Sequence, residues 1–138
     1  MYPANAQEPN RILIVDDDVD LVMLLERKLL TAGFDVETAL SLSEAEDILT
    51  TFQPQLLLLD INLGSADGRQ LSFKLKQGDS GIRIIILSGY DYSASRAVLF
   101  GADEFVSKPF HFEFLLNRIE HHLLHAIQKG PHSFREKE

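Results

Sequence analysis

Two apolar runs in this chain lead straight into carboxylates, and a third strand-like stretch carries an amine. ILIV precedes Asp16-Asp17-Asp18, LLLL precedes Asp60, and FVSKPF contains Lys108. A carboxylate at the tip of a buried strand is costly to keep charged unless something compensates it. Several at one sheet edge also repel each other. A divalent cation with a nearby ammonium relieves both costs, and that combination points to phosphate chemistry. A hard cation such as Mg2+ (or Mn2+) prefers oxygen ligands and keeps several waters. Asp17 and Asp60 are the candidate carboxylate ligands, with the backbone carbonyl of Asn62 as a third donor. Asp16 would hold a metal-bound water. Asp60 could then attack phosphorus in line, with Lys108 and the Ser88 hydroxyl completing the cradle. Positioning and electrostatics supply most of the catalysis of such a transfer, and its product is an aspartyl phosphate.

Elements must deliver those groups to one place. The pattern predicts strands near Ile12–Val15, Phe34–Thr38, Leu56–Leu59, Ile82–Leu87 and Glu104–Ser107. Helices are predicted between and after them. The first has Asp18 as N-cap, Asp20 in its first turn and Gly33 past its end,. The second opens on a capping box, Ser41 to Glu44, and carries Ala45, Ile48, Leu49 and Phe52 on one stripe,. INLGSADG reads as a loop, and a third helix opens at Asp67 or Gly68 and ends near Gly78. A fourth spans about Asp91 to Phe100, and the last about Phe110 to Gln128. Five strands alternating with five helices imply an α/β, doubly wound parallel sheet covered on both faces. The continuously apolar third and fourth strands fit buried central positions. Ligands in such sheets sit beyond the carboxyl ends of the strands. Both acid clusters, Ser88 and Lys108 fall at that edge.

Composition narrows the classes. The 138 residues bound one domain: residues 1–10 as a disordered extension, 11–128 as the folded unit and 129–138 as a flexible tail,. Nothing after the last helix is expected to fold independently. The absence of cysteine excludes disulfides, zinc–thiolate sites and thiol nucleophiles,. A net charge of -8 argues against direct nucleic-acid binding,. No apolar run has the length of a membrane span,. MYPANAQEPN does not read as a secretory signal, so a cytoplasmic location is expected,.

Taken together, ILIVDDD, LLLLDINL with Gly68 eight positions past Asp60, ILSG, and GADEFVSKPF resemble the receiver domain of two-component response regulators. The resemblance covers roughly residues 11 to 128. It implies the flavodoxin-like, CheY-like strand order 2-1-3-4-5. It implies Asp60 as phosphoacceptor, Asp16 and Asp17 as the acidic pair with Asp17 a direct metal ligand, and Lys108 as the lysine touching the phosphoryl group. Ser88 becomes the switch hydroxyl, Phe105 the switch aromatic, and Lys108-Pro109 a cis bond. It further implies a histidine kinase or histidine phosphotransfer protein as phosphodonor. A downstream partner or output domain would read the face built from the fourth helix, fifth strand and last helix.

Two positions depart from the family. Gly64 stands four residues past Asp60, where proline is usual, which predicts a looser loop. Glu104 and Arg118 are similar to a charged pair of dimer-forming relatives of the OmpR and PhoB type, but Ala94 and Phe114 replace other charges of that interface. A monomer or a weak dimer through that face is therefore expected.

Plainer readings stand beside these. His121, His122 and His125 read as a solvent-exposed helix face, beside an apolar stripe of Leu115, Ile119 and Leu123,. Phe110, Phe112 and Phe114 read mostly as core, with one ring left for a partner. A haloacid-dehalogenase-type phosphohydrolase would need an aspartate where Asn62 stands, so turnover of an external substrate is not expected. A nucleotide binder would need a glycine-rich loop where three acids stand. A phosphorylation-independent docking module is the remaining alternative. Tyr90, two residues past Ser88, is expected to shield the aspartyl phosphate from water.

Overall fold

Side chains alternating with period two build both faces of a single sheet. The computed structural model describes residues 8–78, 81–89 and 101–128. Its strands are β1 (Arg11–Val15), β2 (Asp35–Ala39), β3 (Leu56–Asp60), β4 (Arg83–Ser88) and β5 (Glu104–Ser107), all parallel. Their order is β2-β1-β3-β4-β5, the doubly wound arrangement. The helices are α1 (Val19–Thr31), α2 (Leu42–Leu49), α3 (Arg69–Gln77) and a C-terminal helix (Phe112–Gln128). The predicted fourth helix, about Asp91 to Phe100 with Ala94 in it, lies outside the described residues, as does Tyr90.

Ile12, Ile14, Leu56, Leu58, Ile85 and Leu87 face one side, against α1 and the C-terminal helix. Leu13, Val15, Leu57, Leu59, Ile84 and Ile86 face the other, against Ala45 of α2 and Leu71 of α3. Each such fully buried side chain contributes about 1.5–3 kcal/mol. A sheet anchored on both faces gives its strand ends little freedom, and this rigidity positions the site.

Several boundaries differ from the sequence pattern for local reasons. β2 starts at Asp35 because Phe34 N–H donates to Leu29 O (3.1 Å) and Gly33 N–H to Leu30 O (3.0 Å), closing α1. Gly33 takes φ 102 there, as this stop requires,. The capping box of α2 forms: Glu44 N–H donates to Ser41 Oγ at 3.1 Å. Its return arm, Glu44 Oε1, accepts from Leu40 N–H at 2.8 Å, one residue before the cap. The C-terminal helix begins two residues late, its first turn closed by Leu115 N–H to His111 O.

The segment read as a plain loop is instead a small antiparallel hairpin, Asn62–Leu63 against Ala66–Asp67. Gly64 makes this possible, since its φ of 64 suits the first central residue of a tight hairpin turn,.

His122 is a correction. It is buried, 3% exposed, whereas His121 is exposed and His125 partly so. Position 122 lies seven residues past Leu115, so helical geometry places it on the apolar stripe. Phe110 and Phe112 rest against the core, and Phe114 is exposed.

Candidate functional site

The strand order reverses at β1, whose chain leaves to β2 on one side and then β3 on the other. Val15 pairs with Leu59, so the next residues, Asp16 and Asp60, end neighbouring strands. Asp60 is level with Leu87, and Ser88 is level with Ser107. One register step therefore separates each polar group from the last apolar layer.

The three consecutive aspartates divide three tasks. Asp16 prolongs the ladder, its N–H donating to Ala39 O at 3.1 Å, and is 1% exposed. Its Oδ1 accepts Asp18 N–H at 3.0 Å, which folds the chain back over the strand end. Asp17 is exposed at the rim, its Oδ2 accepting Gly64 N–H at 3.1 Å. Asp18 caps α1, its Oδ1 accepting Leu21 N–H at 3.2 Å.

Lys108 arrives from the far edge. Its N–H donates to Ser88 O at 2.8 Å, carrying the β4–β5 ladder one step past Ser107. The bond to Pro109 is cis. The side chain crosses β4 so that Nζ lies 2.7 Å from Asp16 Oδ2 and 3.5 Å from Asp60 Oδ2. Asp60 Oδ1 also accepts Asn62 N–H at 3.2 Å.

Charge at this edge is unbalanced. Burial and then the Asp16 charge push the Asp60 carboxyl above the usual carboxylate range, against the pull of Lys108 and the Asn62 amide. Burial acts most strongly on Lys108 and lowers it, but the hydrogen bonds and charges of Asp16 and Asp60 together carry it above its ordinary value. One ammonium thus faces two buried acids, with a third, Asp17, at the rim of the same cluster.

The acids fit a hard divalent cation. One carboxylate oxygen each from Asp16, Asp17 and Asp60 lies within 4.8 Å of the others. All are oxygen donors, the chemistry such an ion demands. Ser88 is fully buried at the end of β4, beside this cluster in register. Phe105 is half-buried on β5, level with Ile86, and rests against the core on the α2 and α3 side. Asn62 joins the cluster through its backbone.

Sequence reasoning missed three supports. A Cβ at Gly68 would stand 2.2 Å from Asp60 O, so only glycine lets α3 start there. Gly68 N–H also donates to Ile61 O at 2.7 Å. Gly64 supplies an amide to Asp17, which no pattern of side chains could reveal. Third, Glu104 accepts from Arg118 Nε (2.8 and 2.9 Å) and meets His122 Nε2 at 2.6 Å, while His122 Nδ1 lies 2.9 Å from Arg83 Nη2. The charged pair considered for a dimer is therefore engaged within one chain.

A family model described as "Response regulator receiver domain" matches residues 12–120. Transcriptional regulatory protein PrrA of Mycobacterium leprae is 35% identical over 112 residues, covering 80% of this chain and 48% of that protein. The chain thus spans about half the length of the curated relatives it matches. A CheY-like receiver domain protein from Methanospirillum hungatei superposes with a TM-score of 0.83 at 29% identity, covering 88% of this chain and 99% of that one. NtrX from Brucella abortus gives 0.82 at 29% identity, covering 91% of this chain and 29% of that one.

Proposed function

Because this chain belongs to the response regulator receiver domain family of two-component systems, we propose that Asp60 is its phosphoacceptor and that a phosphohistidine of a histidine kinase or phosphotransfer protein is the donor. The observation that carries this reading is the placement of one buried nucleophile, Asp60, among Asp16, Asp17 and the Lys108 ammonium.

An Asp60 oxygen bonds to phosphorus while the phosphorus–nitrogen bond of the donor breaks, and its electron pair leaves with the imidazole. Asn62 N–H and Lys108 Nζ hold the two Asp60 oxygens at 3.2 and 3.5 Å, fixing the carboxylate for in-line attack,. Three acids against one ammonium repel an incoming phosphoryl group. Asp17, Asp60 and the Asn62 carbonyl would hold Mg2+, with Asp16 acting through a water. When bound, the ion supplies the positive charge that stabilises the transferring oxygens. Lys108, presently nearest Asp16, swings its amine toward the new phosphoryl oxygens.

Ser88 turns its hydroxyl to the phosphoryl group, and Phe105 moves into the space released. β5 and the C-terminal helix then present a changed face to a partner or output domain. Full-length relatives such as PrrA are transcriptional regulatory proteins by name; control of an output domain is the corresponding role here. No turnover of an external substrate accompanies the switch. Among the described residues no helix is long and apolar enough to cross a membrane.

Intact mass after acetyl phosphate and Mg2+ tests the reading. The wild-type chain should gain one phosphoryl group and Asp60→Asn none. Rapid multiple turnover of an aryl phosphate would favour a hydrolase instead, and no gain in the wild type would favour a phosphorylation-independent docking module.

A further inference from the structure

Asp17 stands apart from the other two acids of the cluster. Asp16 and Asp60 are buried and face Lys108, whereas Asp17 is exposed on a loop between a strand and a helix. An exposed aspartate has free rotamers, and a ligand that must first be ordered costs affinity. Yet Asp17 shares the 4.8 Å cluster with the buried pair. A backbone group 47 residues away accounts for this: Gly64 N–H donates to Asp17 Oδ2 at 3.1 Å.

The donor is aimed by the hairpin. Leu63 pairs with Ala66, so Gly64 and Ser65 form the two-residue turn. Gly64 has φ 64, and among the described residues no non-glycine has positive φ, so the left-handed conformation falls on Gly64 alone. Proline could serve neither need, since it lacks an N–H and holds φ near about −65°. The hairpin is anchored at its other end by Asn62 N–H on Asp60 Oδ1 and by Gly68 N–H on Ile61 O. It therefore bridges the acid after β1 to the acid ending β3.

We propose that the Gly64 backbone amide is a positioning group for the divalent-cation site. It occupies one acceptor position of the Asp17 carboxylate and leaves the remaining lone pairs for the ion. The three-acid cluster thus stands assembled before a cation enters, without needing proline to stiffen the loop. This inference rests on Asp17 being a direct ligand, as proposed above.

The test titrates Mg2+ alone into the full chain by calorimetry, with no phosphodonor. Groups that orient metal ligands are worth about tenfold or more in affinity. Gly64→Pro should therefore bind Mg2+ about tenfold more weakly than wild type. Gly64→Asn should bind within about twofold, since Asn tolerates positive φ and keeps the N–H; no atom lies within 4 Å of a Cβ there. Equal affinity in Gly64→Pro, or an equal loss in both variants, overturns the proposal. A second measurement needs no change to the hairpin. Hydrogen exchange of the Gly64 amide should be slowed in wild type and faster in Asp17→Ala, and equal rates overturn the proposal. If wild type itself binds no Mg2+ while the amide is protected, the metal reading fails and the hydrogen bond stands.

Discussion

The Lys108 ammonium lies closer to Asp16, at 2.7 Å, than to the candidate nucleophile Asp60, at 3.5 Å. The amine therefore serves two buried acids at once, and its removal leaves both uncompensated. Breaking a buried pair in this way costs about 3–5 kcal/mol, and the partial exposure of Lys108 places Lys108→Ala at about 2–3 kcal/mol. The same change makes the pocket more negative. Urea unfolding in EDTA should show that loss of stability, while a Mg2+ titration should show tighter binding than wild type. Phosphoryl uptake should fall despite the better metal site.

Asp60 bears on stability with the opposite sign. Burial and the Asp16 charge raise its folded-state carboxyl above the ordinary 3.8. A raised carboxyl gives a contribution that is present below the unfolded value and lost as pH rises through the folded one. At neutral pH the charged form therefore opposes folding. Asp60→Asn should raise the stability of the metal-free chain by about 0.5–2 kcal/mol. Saturating Mg2+, if bound as proposed, should stabilise the wild type by mass action and narrow the gap. Thermal melts in EDTA and in Mg2+ read both, and an Asp60→Asn chain that melts no higher than wild type in EDTA would count against the charge argument.

The layers of this fold are written in its continuous leucine and isoleucine runs, because strands buried on both faces leave no polar position to interrupt them,. Asp16, Asp60 and Ser88 were legible for the same reason, each being the first polar residue after such a run, whereas Lys108 comes one residue later, after Ser107. Backbone donors leave no such mark. That Gly64 serves Asp17, or that Gly68 passes against the Asp60 carbonyl, depends on where a hairpin folds back. The hairpin was hidden because INLGSADG has the composition of a loop. His122 was hidden because histidine pattern suggests surface, although its spacing from Leu115 and Ile119 marks a core position.

His122 gives the fold an acid-sensitive seam. A guanidinium can only donate, so Nδ1 accepts from Arg83 and the proton sits on Nε2, facing Glu104,. Burial, supported by Arg83, lowers its pKa below 6.5 against the favourable Glu104 bond. The unfolded chain then binds the proton more readily, so stability should fall as pH drops through 6.5 toward the folded value,. His122→Gln should flatten the stability profile between about pH 5 and 7, at the cost of a lower plateau. Urea midpoints across that range measure it, and an unchanged slope in the variant would remove His122 as the cause.

Gly68 and Gly33 separate space from backbone conformation. A Cβ at Gly68 would meet Asp60 O at 2.2 Å, although nothing about its φ of -60 requires glycine. Gly33 is the reverse: φ 102, with nothing within 4 Å of a Cβ. Gly33→Ala should cost about 1–2 kcal/mol of left-handed strain and leave phosphoryl uptake and Mg2+ affinity intact. Gly68→Ala must displace either the start of α3 or the backbone carbonyl of Asp60 itself, the candidate phosphoacceptor, at about 1–3 kcal/mol or more,. Because Asp60 moves with that carbonyl, phosphoryl uptake from acetyl phosphate should slow by about tenfold or more, since small misplacements of a reacting group are that costly. Comparing the two variants at matched stability isolates the geometry. Equal phosphorylation rates in both would mean that the Asp60 backbone tolerates the shift.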